Sequence, residues 1–179
     1  QCSKYADLQK VGNDDEKEKH TLLLDLLTPV AKTYPSEMGI LSISQGLQCL
    51  GGSGYCDDYP LEQYYRDARI HPIHEGTTGI HGIDLLGRKV LMKNGKASEL
   101  YLAEVRAAVE EAVKFPRLEP HARELSAALD KLIGVTSHLV GISQRKGPEP
   151  FLADATLYLE LFGIVSIAWQ WLLQAIAVQ

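Results

Sequence analysis

Among the residues able to do chemistry, one carboxylate is singled out by its surroundings. Glu75 lies between a proline-constrained segment, His71-Pro72-Ile73-His74, and a Gly-Thr-Thr helix start at residues 76–78. A carboxylate so placed is held on a short, shaped loop, and the nearby helix N-terminus favours its ionised form. Burial in an apolar substrate cleft would raise its pKa and make it a usable base near neutral pH. Spacing alone favours the plainer reading, a solvated or capping glutamate.

His71, His74 and His81 stand close to Glu75 in the sequence and invite a metal reading. The His-x-x-His-Glu string resembles metalloprotease strings, in which one helical face carries two ligands. Pro72 disfavours helix at His71, so that face does not form and no metal is expected. Gly51-Gly52-Ser53-Gly54 could bring backbone N–H groups close to a phosphate. A dinucleotide fingerprint needs a strand in front of it, whereas an apolar helix precedes this cluster, so that motif is rejected.

The elements that must position these residues are helices. Residues 3–9 read as the end of one helix, and 11–15 as a polar break. A second helix is predicted over 15–32, with Leu22, Leu23, Leu26, Leu27 and Val30 on one face and Pro29 forcing a kink or an early stop. Residues 33–37 read as a turn with Ser36 as N-cap, followed by a helix over 37–50 that Gly51-Gly52 ends. Further helices are predicted over 61–70, from a Thr77 or Thr78 cap towards Met92, and over 98–114, 118–142 and 151–178. No strand-period segment appears, and the fold class is all-α, an antiparallel helical bundle.

With 179 residues the chain can form one domain with a sizeable core or two small ones. Its net charge of −5 argues against a partner held through nucleic-acid phosphates. Cys2, Cys49 and Cys56 fit no zinc spacing and read as reduced thiols of a cytoplasmic protein. Residues 161–178 carry no charge and approach the length of a membrane span, yet no Lys or Arg follows Lys146. A buried bundle or oligomer-interface helix is expected there, with no membrane span. The chain opens without Met and in mid-helix, which suggests a fragment of something longer.

Several of these pieces stand in a telling order: Gln48-Cys-Leu-Gly-Gly-Ser-Gly-Tyr55, Asp58-Tyr-Pro-Leu-Glu62, Arg66-Asp-Ala-Arg-Ile70, His74-Glu-Gly-Thr77 and Leu86-Gly-Arg-Lys89. Together they resemble the acyl-CoA dehydrogenase family, in its C-terminal all-helical domain. The tail, with Phe162-Gly163 and Ala168-Trp169-Gln170-Trp171, is similar to the C-terminal extension of a bacterial subgroup that includes 3-methylmercaptopropionyl-CoA dehydrogenases. The resemblance divides the chain into a partial C-terminal helical domain, residues 1–95, and a helical extension, residues 96–179.

It further implies an FAD-dependent enzyme that desaturates an acyl-CoA thioester between its α and β carbons. Glu75 occupies the place of the family's base, which removes the α-proton while hydride passes to FAD. Gln48, Leu50, Gly51 and Gly52 take the places that contact the FAD of a neighbouring subunit, and Thr77 a further FAD contact. His74 stands where the family usually has Tyr, Gly79 where many members have a flavin-contacting Gln, and His81 in place of a second Gln. The Gly79 contact is therefore not carried over. A homo-oligomer and electron-transfer flavoprotein as acceptor are expected.

The family's N-terminal and middle domains have no counterpart here, so the isolated chain is expected to bind FAD poorly and to be inactive. Two other readings are weighed against this one. A DNA-associated alkylation-response flavoprotein would carry a basic C-terminal region, but from Leu100 onward seven Lys/Arg face nine Asp/Glu. A non-catalytic helical oligomerisation module suits the tail from about Ala97.

Overall fold

The second helix organises the structure, a computed structural model that describes residues 1–179. A short helix α1 (Cys2–Leu8) precedes it, and α2 then runs unbroken from Asp14 to Cys49. Its start is a capping box: the Asn13 side chain accepts from the Glu16 N–H, and the Glu16 carboxylate accepts from the Asn13 N–H. Such a cap contributes about 1 kcal/mol, and Asp14, Asp15 and Glu16 complement the helix dipole as well.

The predicted turn at 33–37 is absent, because α2 passes through both Pro29 and Pro35. A proline within a helix lacks the N–H that would serve the carbonyl four residues back. For Pro29 that carbonyl belongs to Asp25, and Lys89 Nζ donates to it at 2.6 Å. Ser36, expected as an N-cap, bonds backwards instead, to the carbonyls of Lys32 and Thr33. The buried Thr33 hydroxyl serves the Pro29 carbonyl in the same way. The Lys89 bond at the Asp25 carbonyl, together with the buried stripe Leu22, Leu23, Leu26, Leu27 and Val30, outweighs the local signal of Pro29.

After α2 come the single turn α3 (Gly52–Tyr55), where a loop was expected, then α4 (Leu61–Ala68) and α5 (Thr78–Gly87). A 3-10 turn at Lys89–Leu91 replaces the last predicted turn of α5. The remaining helices are α6 (Lys96–Ala112), α7 (Glu119–Lys146), α8 (Pro148–Leu152) and α9 (Ala155–Ala177). The loop predicted at 143–148 shrinks to Gly147, whose φ of +87° suits glycine. There are no strands, and the chain is an all-α bundle.

One core joins the helices. It takes Leu23 and Leu26 from α2, Leu85 and Leu86 from α5, Val105 from α6, Leu129 from α7 and Val165 from α9. Tyr101 sits near its centre, stacked on Phe162 at 4.7 Å between ring centroids and edge-on to Trp169 at 5.8 Å. Its hydroxyl bonds Ser166 Oγ at 2.9 Å, while burial pushes its pKa upward. Gly82 lets α5 meet α9, since a Cβ there would come within 2.7 Å of the Ala155 carbonyl oxygen. By length and composition α7 and α9 could each cross a membrane, yet α9 packs one face, including Phe162, Val165 and Trp169, into this core.

Candidate active site

Glu75 stands on the turn between α4 and α5, with Glu75 at φ +53° and Gly76 at φ +93°. Two successive left-handed residues reverse the chain sharply, and a non-glycine residue there costs on the order of 1 kcal/mol. At Gly76 a Cβ would also come 3.0 Å from His81 Nε2, so both backbone and space require glycine.

Bonds from distant residues hold this turn. Lys32, on α2, donates its ammonium to the Gly76 carbonyl at 2.6 Å. The His81 ring donates from Nε2 to the Glu75 carbonyl at 3.2 Å, since a carbonyl can only accept. His74 likewise donates from Nδ1 to the Ile70 carbonyl at 2.9 Å. Thr77 is the N-cap of α5, accepting from the Ile80 N–H, and the Thr78 hydroxyl donates to Glu37 Oε1 at 2.6 Å. His81, marked in the sequence only as a departure, therefore fixes the carbonyl of the candidate base. Lys32 and Glu37 were missed altogether, for nothing in their spacing links them to residues more than forty positions away.

The Glu75 carboxylate itself is exposed and makes no hydrogen bond or ion pair within the chain. The apolar cleft anticipated around it is not seen: Glu75 is exposed and walls none of five cavities of about 230 to 600 Å³. Instead Ile70, Ile73, Ile80 and Ile83, all exposed, surround it in sequence. Ile80 and Ile83 fall on one face of α5, opposite the buried Leu85 and Leu86. The carboxylate thus stands open to solvent, with exposed apolar residues on either side of it in the chain.

The glycine segment lies elsewhere. Gln48, Gly51 and Gly52 are exposed at the end of α2, and Leu50 is half-buried. Gly51 adopts φ +59° and ψ −140°, a conformation open essentially to glycine alone. A Cβ on Gly51 or Gly52 would meet nothing within 4 Å, so bare backbone faces open space that a ligand can approach. Beside it a cavity of about 600 Å³ is walled by Leu47, Tyr55, Glu62, Tyr65, Arg66 and Arg69. The wall carries two guanidinium groups, of which Arg66 pairs with Glu62 at 3.4 Å.

Lys32 touches the Glu75 turn, and Gln48 lies sixteen residues further along the same helix. At 1.5 Å per residue the two regions are about 24 Å apart. Glu75 and Thr77 are therefore brought together, while Gln48, Leu50, Gly51 and Gly52 form a separate surface.

Comparison with known proteins agrees with this architecture. Residues 8–91 match the family model described as acyl-CoA dehydrogenase, C-terminal domain, and residues 101–179 match acetyl-CoA dehydrogenase C-terminal like. A 3-methylmercaptopropionyl-CoA dehydrogenase of Ruegeria pomeroyi is 31% identical over 176 residues, 98% of this chain and 30% of that protein. A broad-specificity linear acyl-CoA dehydrogenase of Mycobacterium tuberculosis is 37% identical over 117 residues, covering 65% of this chain and 19% of its own length. A short/branched chain specific acyl-CoA dehydrogenase of Rattus norvegicus reaches 47% identity over 51 residues, 28% of this chain and 12% of its own. The chain thus spans less than a third of the length of these relatives. With two adjoining C-terminal models matched in order and one relative aligned almost end to end, the chain belongs to the acyl-CoA dehydrogenase family.

Proposed function

We propose that this chain is the C-terminal part of an FAD-dependent acyl-CoA dehydrogenase in which Glu75 removes the α-proton of an acyl-CoA thioester. The observation that carries the reading is the built turn at Glu75. A strained glutamate is anchored from two helices by Lys32 and His81, and its carboxylate is left free of every internal partner. A merely solvated surface glutamate needs no such support.

A thioester α-proton is weakly acidic, so its base must be aimed and then desolvated. Lys32 and His81 do the aiming by fixing the Gly76 and Glu75 carbonyls. The exposed Ile73 and Ile80 offer an apolar wall for an acyl chain, and closure of that wall over Glu75 would exclude water. The proton then resides on a Glu75 carboxylate oxygen. FAD, when bound, supplies the acceptor for the β-hydride, with electron-transfer flavoprotein as the onward acceptor. Thr77, capping α5 two residues from the base, is placed for a flavin contact.

Gln48, Leu50, Gly51 and Gly52 are assigned to the adenosine diphosphate part of FAD bound by a neighbouring subunit of a homo-oligomer. Their separation of about 24 Å from the base along α2 supports that division. The isolated chain is expected to hold FAD poorly and to be inactive.

The test uses the protein carrying the remainder of the family's length. Glu75→Gln should retain flavin yet lose bleaching of flavin absorbance by acyl-CoA; unchanged bleaching would refute the assignment. A panel of acyl-CoA chain lengths on the unaltered protein then defines the substrate.

A further inference from the structure

Lys32 is not the only side chain of α2 that reaches the turn carrying Glu75. Further along the same helix, Glu37 accepts a hydrogen bond from the Thr78 hydroxyl at 2.6 Å. The two bonds grip the chain on either side of Thr77: Lys32 takes the Gly76 carbonyl, and Glu37 takes the Thr78 side chain. A single bond leaves a turn free to pivot about it. Two bonds from one rigid helix fix its orientation as well.

The Glu37 carboxylate is committed to this contact. It is half-buried, forms no ion pair, and bonds to no other group of the chain. A length of 2.6 Å is that of a charge-assisted bond, about twice as strong as a neutral one. The first turn of α5 carries no acidic residue of its own. Glu37 therefore supplies, from another helix, the negative charge that a helix N-terminus favours.

Packing does not do the same work at this place. Glu37 and Thr78 stand on the wall of a cavity of about 530 Å³ between α2, α5 and α9, with Tyr34, Thr156, Glu160 and Ile164 among its other walls. Side chains leave that space unfilled, so the bond rather than close contact sets the distance from α2 to the start of α5. One turn later the situation reverses, where Gly82 lets α5 press directly on the Ala155 backbone of α9. The second turn of α5 is fixed by contact and the first by hydrogen bonds.

We infer that Glu37 is a positioning residue for the candidate base: by holding the Thr78 hydroxyl it fixes, together with Lys32, the direction in which the Glu75 carboxylate is presented. The inference rests on the reading of Glu75 above and adds a second anchor to it. Glu37 acts through Thr78 and takes no part in the proton transfer.

The test uses the flavin-loaded protein carrying the remainder of the family's length, and an acyl-CoA that bleaches it. Thr78→Val keeps the side-chain shape and removes the hydroxyl. It should slow bleaching at saturating acyl-CoA by about 10- to 100-fold, while the half-saturating concentration moves less than about threefold. Glu37→Ala should act alike, and the double variant should be no slower than either single one, since both break one bond. Thr78→Ser restores the hydroxyl and Glu37→Gln keeps an acceptor oxygen, so both should stay within about fivefold of the unaltered rate. Amide hydrogen exchange gives a readout independent of turnover. The Ile80 and His81 N–H groups bond to Thr77, and in Thr78→Val a peptide over residues 76–85 should exchange about tenfold faster, with α6 unchanged.

If Glu75→Gln still bleaches, the base reading fails and this inference falls with it. If Glu75→Gln abolishes bleaching while Thr78→Val and Glu37→Ala proceed at the unaltered rate, the base reading stands and the role of Glu37 is overturned. Losses that Thr78→Ser does not restore, or that add in the double variant, would overturn the bond as their cause. Slower bleaching that comes with lost flavin or with faster exchange throughout the protein would overturn positioning in favour of a purely structural role.

Discussion

Two lysines tie α2 to the 75–91 segment in opposite directions, and they do different work. Lys32 reaches from α2 to the Gly76 carbonyl, and Lys89 reaches from beyond α5 to the Asp25 carbonyl on α2, each at 2.6 Å. Lys89 is only 5% exposed, and the Asp25 and Asp84 carboxylates each lie 3.8 Å away. It repairs a carbonyl that Pro29 has stripped of its donor inside the bundle. Lys32 is half-buried, has no carboxylate partner, and holds a strained turn at the surface. The first strap serves a gap within α2; the second holds a turn with two successive positive φ angles. Strain kept at an exposed position is intelligible as positioning for chemistry.

The sharpest way to break this comparison is to remove each ammonium in turn. Lys89→Met should lower unfolding free energy by about 1–3 kcal/mol in denaturant titration, because it leaves the Asp25 carbonyl without the donor that reaches it from outside α2. Lys32→Met should cost less than about 1 kcal/mol in the same titration. In the flavin-loaded protein, however, it should slow acyl-CoA bleaching by roughly 10- to 100-fold through displacement of Glu75. Equal stability losses with unaltered bleaching would show that both lysines are purely structural.

The two straps also show what the sequence could and could not tell. A threonine cap for α5 at 77 or 78, the positions of most helices and an apolar last helix were all legible, because caps and hydrophobic periodicity are local. The continuity of α2 was not. Proline rules act over four residues, whereas the repair at Pro29 comes from a lysine 64 positions away. Lys89 read as one basic residue of a Leu-Gly-Arg-Lys string, with no sign that it would be buried. The cleft around Glu75 was inferred from what a base requires, yet the side chain is exposed and the neighbouring Ile70, Ile73, Ile80 and Ile83 are exposed as well.

A smaller effect sharpens the strained side of the comparison. Glu75→Gly should relieve the positive φ and raise unfolding free energy by about 0.5–1 kcal/mol, measured on the chain in denaturant. The same change should abolish flavin bleaching, as the base is gone. Stabilisation coupled to loss of activity is the signature of conformational strain kept for function. A destabilised Glu75→Gly protein would mean that the side chain contributes to folding, contrary to its freedom from internal partners.

The smallest effect tests whether the Lys89 strap works through its carbonyl or through its charges. Asp84 receives two hydrogen bonds from Arg88, at 2.6 and 3.1 Å, and has Lys89 3.8 Å away. The Arg88 hydrogen bond chiefly holds its carboxyl below the usual aspartate range, with partial burial opposing and the positive charges of Arg88 and Lys89 assisting. A depressed folded-state pKa contributes stability above the unfolded value of about 3.9, and that stability is lost as pH falls through the folded value. Because the pair with Arg88 is an i,i+4 pair at the surface, the contribution should be only a few tenths of a kcal/mol. Asp84→Asn should therefore be slightly less stable than the unaltered chain at pH 7, with the difference closing as pH falls through the depressed folded-state value. If Asp84→Asn instead costs as much as Lys89→Met, the strap rests on ion pairing. If the loss stays small, the bond to the Asp25 carbonyl is what joins the helices, and the proline in α2 is tolerated because a neighbouring element supplies the donor it lacks.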